Sequence, residues 1–560
     1  MPGSRTTGPD EDRRIVVVTP DRLSPIHPMP ASIPRYLAAT AERLPDKIAI
    51  VSRERSITFA ELYREALASA ECLRSIGIAR GDRVGICMEK TVDQVLAILG
   101  VLFANAVFVP ILPRLKAPNI QHIIANSGMT AMITDAERLH EVSDFAGFTR
   151  LITGHGAINA DQPNLPYLRR FVQASNFFDS IGNDNAAIIY SSGSTGRPKG
   201  ILIAHRNLAE GADIVAEFLG TREDDRIGCV LSFNFDYGLN QLWQTIRFGC
   251  TIHLHDLALP NDLFAMMSTQ RITALPVMPV IITKIFDRRL KVSTARFDFS
   301  SLRYVCSTGG RLSADMIADL KGAFPTARIF SMFGLTEAFR STFLAPEKLD
   351  THPTSVGKAI PDCQVMVLTE TGEECAPNVV GELVHRGATV TKGYWNDALS
   401  TAKTFRTHPR FPGETLVYSG DRAYRDEEGL IYFVARGDDM IKTKGFRVSP
   451  TEVEAEVVRH SEVVDAVAFA VQNISIGEDI ACAYTTVSGQ PVPEAVFKQF
   501  LKSALPNHMV PSTLIHFDSF PVTGNAGKLD RKAIREAAFE RLGLPVTANA
   551  ATEARTAAAS

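Results

Sequence analysis

Apolar positions run along this chain in two alternating rhythms. From about residue 33 to residue 179, short apolar runs of strand length alternate with segments of helical period. Residues 36–44, 58–77, 91–103 and 117–127 read as helices, and 48–51, 83–88, 108–111 and 131–134 as strands. Thr58 stands where a helix N-cap belongs. Such alternation predicts a parallel sheet covered by helices. Residues 186–189 and 201–204 read as two buried strands, and a helical pattern begins near Arg206. Further on, 229–231, 302–306 and 327–330 predict buried strands that end in polar loops, and 239–248 a helix. Residues 381–386 and 415–419 predict a smaller β region, and 429–434 a strand that leads into a polar run at 435–440. After that run the pattern changes to helices at 450–460 and 494–504 and strands at 466–471, 480–485 and 514–517. This makes a C-terminal α+β domain of roughly 100 residues, a normal domain size. The expected fold is α/β, with a large N-terminal domain of helix-covered sheets plus a β subdomain, followed by a small α+β domain. The expected boundaries are a disordered tail at 1–32, domains at 33–436 and 437–541, and a disordered tail at 542–560.

One stretch organises the chemistry. Tyr190-Ser191-Ser192-Gly193-Ser194-Thr195-Gly196-Arg197-Pro198-Lys199-Gly200 packs five hydroxyls, three glycines, a guanidinium and an ammonium between two apolar strands. Glycines let successive backbone N–H groups close on a polyanion. Ser and Thr hydroxyls donate to phosphate oxygens, and Lys199 and Arg197 supply charge. The stretch predicts a loop for a nucleotide triphosphate. It is not a Walker A loop, because the glycine after Gly193 comes three positions on and Lys199 is followed by Gly200.

Other candidates stand at predicted strand ends, where ligands of such sheets bind. Asp236 follows an apolar strand in Ser232-Phe233-Asn234-Phe235-Asp236-Tyr237-Gly238; its alternative role is a helix N-cap. Ser307-Thr308-Gly309-Gly310 and Ser331-Met332-Phe333-Gly334-Leu335-Thr336-Glu337 place glycines and hydroxyls beyond two further strands. Glu337 is a candidate magnesium ligand, since a carboxylate near phosphates reaches them through a divalent cation. Asp421 ends Tyr418-Ser419-Gly420-Asp421 and can accept both hydrogen bonds of a ribose diol.

Composition narrows the classes. The 560 residues are 45% hydrophobic and 22% charged, ordinary for a soluble globular protein. The net charge of -3 argues against a nucleic-acid binder. The eight cysteines include no Cys-x-x-Cys pair, so neither a disulfide framework nor a zinc site is expected, and a reducing, cytoplasmic setting fits. Residues 1–33 lack the apolar core of a secretory signal. Residues 95–112 are apolar, but Gly100, Asn105 and Pro110 interrupt them, so they predict a buried helix and strand rather than a membrane span.

Taken in order, these loops resemble the adenylate-forming superfamily of acyl-CoA synthetases, amino-acid adenylation enzymes and firefly luciferase, over roughly residues 33–539. The glycine-rich stretch matches the family's phosphate loop, and the resemblance implies that Ser191, Ser194, Thr195 and Lys199 contact the β- and γ-phosphates, with Ser192, Gly193 and Gly196 in the same loop. Phe333-Gly334-Leu335-Thr336-Glu337 matches the family's Tyr-Gly-x-Thr-Glu. It implies an aromatic on adenine, Thr336 on phosphate and Glu337 on magnesium, with Phe333 lacking the usual hydroxyl. Gly309 and Gly310 match the stretch lining adenine and the acyl group. Asp421 matches the ribose-binding Asp, and Arg436 the Arg that joins it. Asp438 falls at the family's hinge, Lys444-Gly445 at its thiol tunnel, and Lys528 at the lysine bridging carboxylate and α-phosphate. The implied reaction has two halves. A carboxylate attacks the α-phosphorus of ATP to give acyl-AMP and pyrophosphate; the small, mobile domain then turns about Asp438, and a thiol displaces AMP.

The acid and the thiol are less legible. Phe235-Asp236 resembles the pair in amino-acid adenylation enzymes, where the Asp holds the substrate amino group. The stretches 235–238 and 334–341 also resemble a bacterial group of acyl-CoA ligases associated with exosortase-type exopolysaccharide clusters. The expected activity is an acyl-CoA synthetase using ATP, Mg2+ and CoA. The alternative is a stand-alone enzyme loading the 4'-phosphopantetheine of a free-standing carrier protein, since the sequence shows no carrier or condensation domain. A luciferase-like oxidase and an inactive binding protein are the remaining readings. A monomer or homodimer is expected.

Overall fold

The computed structural model describes residues 32–544 apart from 114, 116, 149, 156–162, 170–177, 192–197, 288–289, 291–292, 311, 437–440, 444–445, 474–476, 506 and 523–528. The helix and strand rhythm is realised in two large sheets. A six-stranded sheet runs in the order Arg150–His155, Ala131–Asp135, Arg83–Cys87, Val107–Pro110, Asn185–Ser191, Lys199–Ala204. Its strands are parallel except for the last pair, an antiparallel hairpin. A nine-stranded sheet contains Arg226–Cys229, Thr251–Leu254, Ala274–Val277, Tyr304–Ser307 and Arg328–Leu335.

Helices fill the space between the sheets. The helix Val92–Phe103 is apolar nearly all round and buried at every position but Asp93, as such helices are. Among the described residues no helix is long and apolar enough to cross a membrane. One continuous core takes in Phe59, Phe103, Phe108, Phe233, Trp243 and Phe330, and so joins both sheets. Helix Phe59–Ser75 starts in a complete capping box: Thr58 Oγ1 accepts from Glu61 N, and Glu61 Oε2 from Thr58 N.

Three expectations are corrected. The strand Ile48–Val51 belongs to the nine-stranded sheet, where it pairs in parallel with Thr251–Leu254; apolar period does not name a strand's partner. The stretch after residue 330 is not a loop. The strand runs on from Arg328 to Leu335 and turns into the antiparallel strand Phe339–Leu344. Asp421 does not end a strand either. It lies inside the long strand Phe411–Arg425, whose partly exposed outer stretches carry no apolar alternation. That strand forms a five-stranded sheet with Cys363–Leu368, Gly381–Gly387, Phe405–His408 and Ile431–Arg436.

The C-terminal region is a small α+β unit. The strands Ile441–Thr443, Phe446–Val448, Val463–Asn473, Gly477–Thr486 and Thr513–Phe517 form its sheet, with separate cores on its two faces. Arg531 makes a bidentate pair with Glu454 (2.9 and 2.5 Å), linking helix Arg531–Arg541 to helix Pro450–Val457. At its edge the hydroxyls of Ser449 and Thr451 donate to the Val434 carbonyl (2.5 and 2.7 Å), holding it to strand Ile431–Arg436. All eight cysteines are free.

Candidate active site

The hairpin of Asn185–Ser191 and Lys199–Ala204 brings Ser191 opposite Lys199 at its open end. Ser192, Gly193, Ser194, Thr195 and Gly196 lie outside the described residues. Lys199 Nζ donates to Ser400 Oγ (2.9 Å) and stands 5.2 Å over the ring of Tyr394. Tyr394 OH in turn donates to Glu337 Oε1 (2.6 Å). The backbone N–H and the hydroxyl of Thr391 both donate to the Glu337 carbonyl (3.0 and 2.9 Å). The segment holding Thr391 and Tyr394 runs beside strand Lys199–Ala204, through Lys392 N to Leu202 O, Leu202 N to Gly393 O and Trp395 N to Gly200 O. Lys199 and Glu337, far apart in the chain, are thereby stitched to one spot.

Glu337 owes its place to a tight turn. A Cβ on Gly334 would fall 2.4 Å from the Phe339 carbonyl, so only glycine allows the strands to approach this closely. Phe339 takes a positive φ of 55°, uncommon for an aromatic residue. Its ring packs over Gly211, where a Cβ would sit 2.7 Å from Phe339 Cε1. Thr336, Phe339 and Thr391 then line a cleft together with Asp236 and Trp243.

Asp236 is the first residue of helix Asp236–Phe248, and Phe235 holds the cap position. The alternative role as N-cap is therefore not the one observed. The half-buried carboxylate accepts the Tyr237 N–H (2.9 Å) at the positive end of the helix. The approach is fixed by Gly238, whose Cβ would fall 1.9 Å from the Ser232 carbonyl.

On the opposite side Gly309 turns with φ 85° after strand Tyr304–Ser307, and Gly310 sits against Pro279. The Phe333 ring stacks on His385 (6.3 Å between centroids, 22° between planes) and tilts against Phe433 (5.9 Å). His385 is 2% exposed and neither ring nitrogen has a partner among the described residues; burial pushes it down to about 3. Asp421, 2% exposed, pairs across the sheet with Arg436, of which only the backbone is described. Asp438, Lys444, Gly445 and Lys528 lie outside the described residues.

No cluster of three or more His, Cys, Asp or Glu able to hold a metal occurs among the described residues. One carboxylate, that of Glu337, beside the hairpin of Asn185–Ser191 and Lys199–Ala204 still suits magnesium, which takes one or two carboxylates and fills its shell with phosphate oxygens and water. Sequence reasoning missed Tyr394, Thr391, Ser400 and His385. The aromatic pair Tyr394-Trp395 after Gly393 was the available signal for the first.

A model described as AMP-binding enzyme matches residues 37–395. Tyrocidine synthase 1 of Brevibacillus parabrevis is 28% identical over 518 residues, 90% of this chain and 45% of that protein. Gramicidin S synthase 2 of Aneurinibacillus migulanus is 27% identical over 531 residues, 94% of this chain and 11% of that protein. The chain thus spans less than half the length of these curated relatives. ATP-bound MatB from Rhodopseudomonas palustris superposes with a TM-score of 0.81 at 24% identity, covering 92% of this chain and 100% of that one. The o-succinylbenzoate CoA synthetase (MenE) from Bacillus subtilis, with its acyl-adenylate OSB-AMP, superposes at 0.78 and 22% identity, covering 89% and 97%. The two solved structures share the fold of this chain.

Proposed function

The chain belongs to the AMP-binding enzyme family, within the adenylate-forming superfamily, and from that premise we propose that it activates a carboxylic acid with ATP and transfers the acyl group to CoA. The observation that carries the reading is the junction of Lys199, Tyr394 and Glu337 at the edge of the cleft of Asp236 and Thr336. It brings a cation and a carboxylate together beside the small gap that Asp236 and Thr336 line, a pairing that suits a triphosphate with its magnesium.

The roles follow from the chemistry. A carboxylate oxygen attacks the α-phosphorus and pyrophosphate leaves, so negative charge grows on phosphoryl oxygens. Lys199, the Ser191 and Thr336 hydroxyls and the 192–196 loop neutralise and orient that charge. A magnesium ion on Glu337 would supply further screening. Phe333 offers adenine a ring face, and Asp421 offers the ribose diol a carboxylate. Gly309 and Gly310 leave space where adenine and the acyl group meet. Lys528 bridges carboxylate and α-phosphate during adenylation. The small domain then turns about Asp438, withdraws Lys528 and brings Lys444-Gly445 to guide the thiol.

A second reading is favoured by Asp236, a carboxylate in the cleft that suits an amino group. In it the enzyme loads an amino acid onto the phosphopantetheine of a separate carrier protein. The test is acid-dependent exchange of labelled pyrophosphate into ATP, with amino-acid pools against fatty and aryl pools. Exchange with fatty or aryl acids, and thioester formation with CoA, is the expected result. Exchange confined to the amino pool and lost in Asp236→Ala would establish the second reading instead.

A further inference from the structure

Arg340 follows Phe339 on the strand Phe339–Leu344, opposite Gly334. It is 2% exposed, and its Nε and Nη2 have no hydrogen-bond partner among the described residues. No ion pair to it occurs among the described residues, and Asp236, the nearest carboxylate in sequence terms to the ring it covers, does not reach it. The guanidinium lies 4.5 Å over the Tyr237 ring and 5.2 Å from the Phe339 ring. Tyr237 is itself fixed by its hydroxyl, which donates to the Cys306 carbonyl (2.8 Å).

Position and charge together define what is missing. Asp236 and Phe339 line the cleft, and the Arg340 guanidinium lies 5.2 Å from the ring of Phe339. The guanidinium is therefore set beside the cleft, further along the hairpin from the turn that carries Thr336 and Glu337. A guanidinium is a permanent cation with five donors in a fork that fits a carboxylate. A buried charge left without an anion is strongly disfavoured, and two aromatic faces offset only part of that cost. In the proposed reaction the carboxylate that is activated meets the α-phosphate at the turn carrying Thr336. The group at Arg340 is a different one.

We propose that the acid activated here carries a second carboxylate, and that Arg340 binds it. The inference rests on the adenylate-forming reading and names its substrate class. An amino group on the same molecule would face Asp236, so acidic amino acids fall within the class.

The experiment is pyrophosphate exchange with matched pairs: glutarate against valerate, glutamate against norvaline, isophthalate against benzoate. At least one diacid should exceed its monoacid partner in kcat/KM by on the order of 100-fold or more, because a site built for a polar group rejects the analogue lacking it. Arg340→Met should abolish that preference through the KM for the acid while the KM for ATP stays within about twofold, and Arg340→Lys should keep part of it. Diacids no better than monoacids in the wild type would overturn the proposal without any variant. So would an Arg340→Met protein that keeps the diacid preference. Exchange with monoacids alone leaves the adenylate-forming reading standing; exchange with no acid overturns that reading and this inference with it.

Discussion

Tyr394→Phe removes a hydroxyl at the point where the hairpin of Asn185–Ser191 and Lys199–Ala204 meets Glu337. The variant keeps the ring that carries Lys199 at 5.2 Å and that packs edge-on to Phe405 at 5.6 Å, and removes the hydroxyl that donates to Glu337 Oε1 at 2.6 Å. Hydrogen bonds to charged groups contribute about 1.5–3 kcal/mol, and this one is half-buried, which places it near the lower end, ~1.5 kcal/mol. A loss of that size is roughly tenfold in an equilibrium or a rate. The Thr391 bonds to the Glu337 carbonyl remain, so the turn stays in place while the carboxylate loses its orientation. The assay is pyrophosphate exchange at varied Mg2+. Half-saturation by Mg2+ should rise about tenfold, with the denaturation midpoint nearly unmoved. A Mg2+ dependence unchanged in the variant would refute the claim that Tyr394 aims Glu337.

Three further outcomes test the frame around the site. Gly238→Ala pushes a methyl to within 1.9 Å of the Ser232 carbonyl, so backbone must move; a stability loss of about 2 kcal/mol or more is expected in urea titrations, with weakened acid binding. Asp225→Asn should cost about 2–3 kcal/mol, because this 1%-exposed carboxylate takes both short bonds from Arg303 Nη1 (2.6 and 2.7 Å) and one from Thr273 Oγ1 (2.7 Å), while Arg303 itself keeps some access to water; a melting curve that matches the wild type would contradict it. His385, pushed down to about 3 in the folded state against 6.5 unfolded, binds fewer protons folded than unfolded between those values. Its contribution is complete above pH 6.5 and is lost as pH falls toward 3, up to about 5 kcal/mol. Stability measured from pH 7 to 4 should therefore fall less steeply in His385→Phe than in the wild type. Asp135, raised by burial to about 6, titrates with the opposite sign in both proteins and cancels in that comparison; parallel slopes would count against a buried neutral His385.

Element type was legible wherever burial follows a period. The helices Ala117–Ser127 and Glu494–Ala504 coincide with the apolar pattern, and Thr58 is the N-cap that its place in the sequence suggested. The fold class read from the alternation is the one observed. Sheet membership was not legible, because Ile48–Val51 is apolar whichever sheet it joins. Nor was the length of Phe411–Arg425, since a strand with partly exposed, polar outer stretches satisfies its backbone without showing an apolar face.

The same distinction separates the parts of the site. A sequence displays residues whose own chemistry is unusual for their place: a glycine-hydroxyl run between apolar strands, or Asp236 after one. It does not display residues that matter through what they hold. Thr391 and Tyr394 act on Glu337 by backbone and hydroxyl bonds that arise only once their segment lies along Lys199–Ala204, and nothing local foretells that alignment. Arg340 is the sharper case. A lone arginine in a strand reads as surface, where its charge costs nothing. Once that strand is closed against Arg328–Leu335 and the Tyr237 ring, the same charge becomes the most demanding group beside the cleft. The demand that Arg340 makes is thus encoded in burial, a property of the fold, while the glycine-hydroxyl run is encoded in residue types that can be read in line.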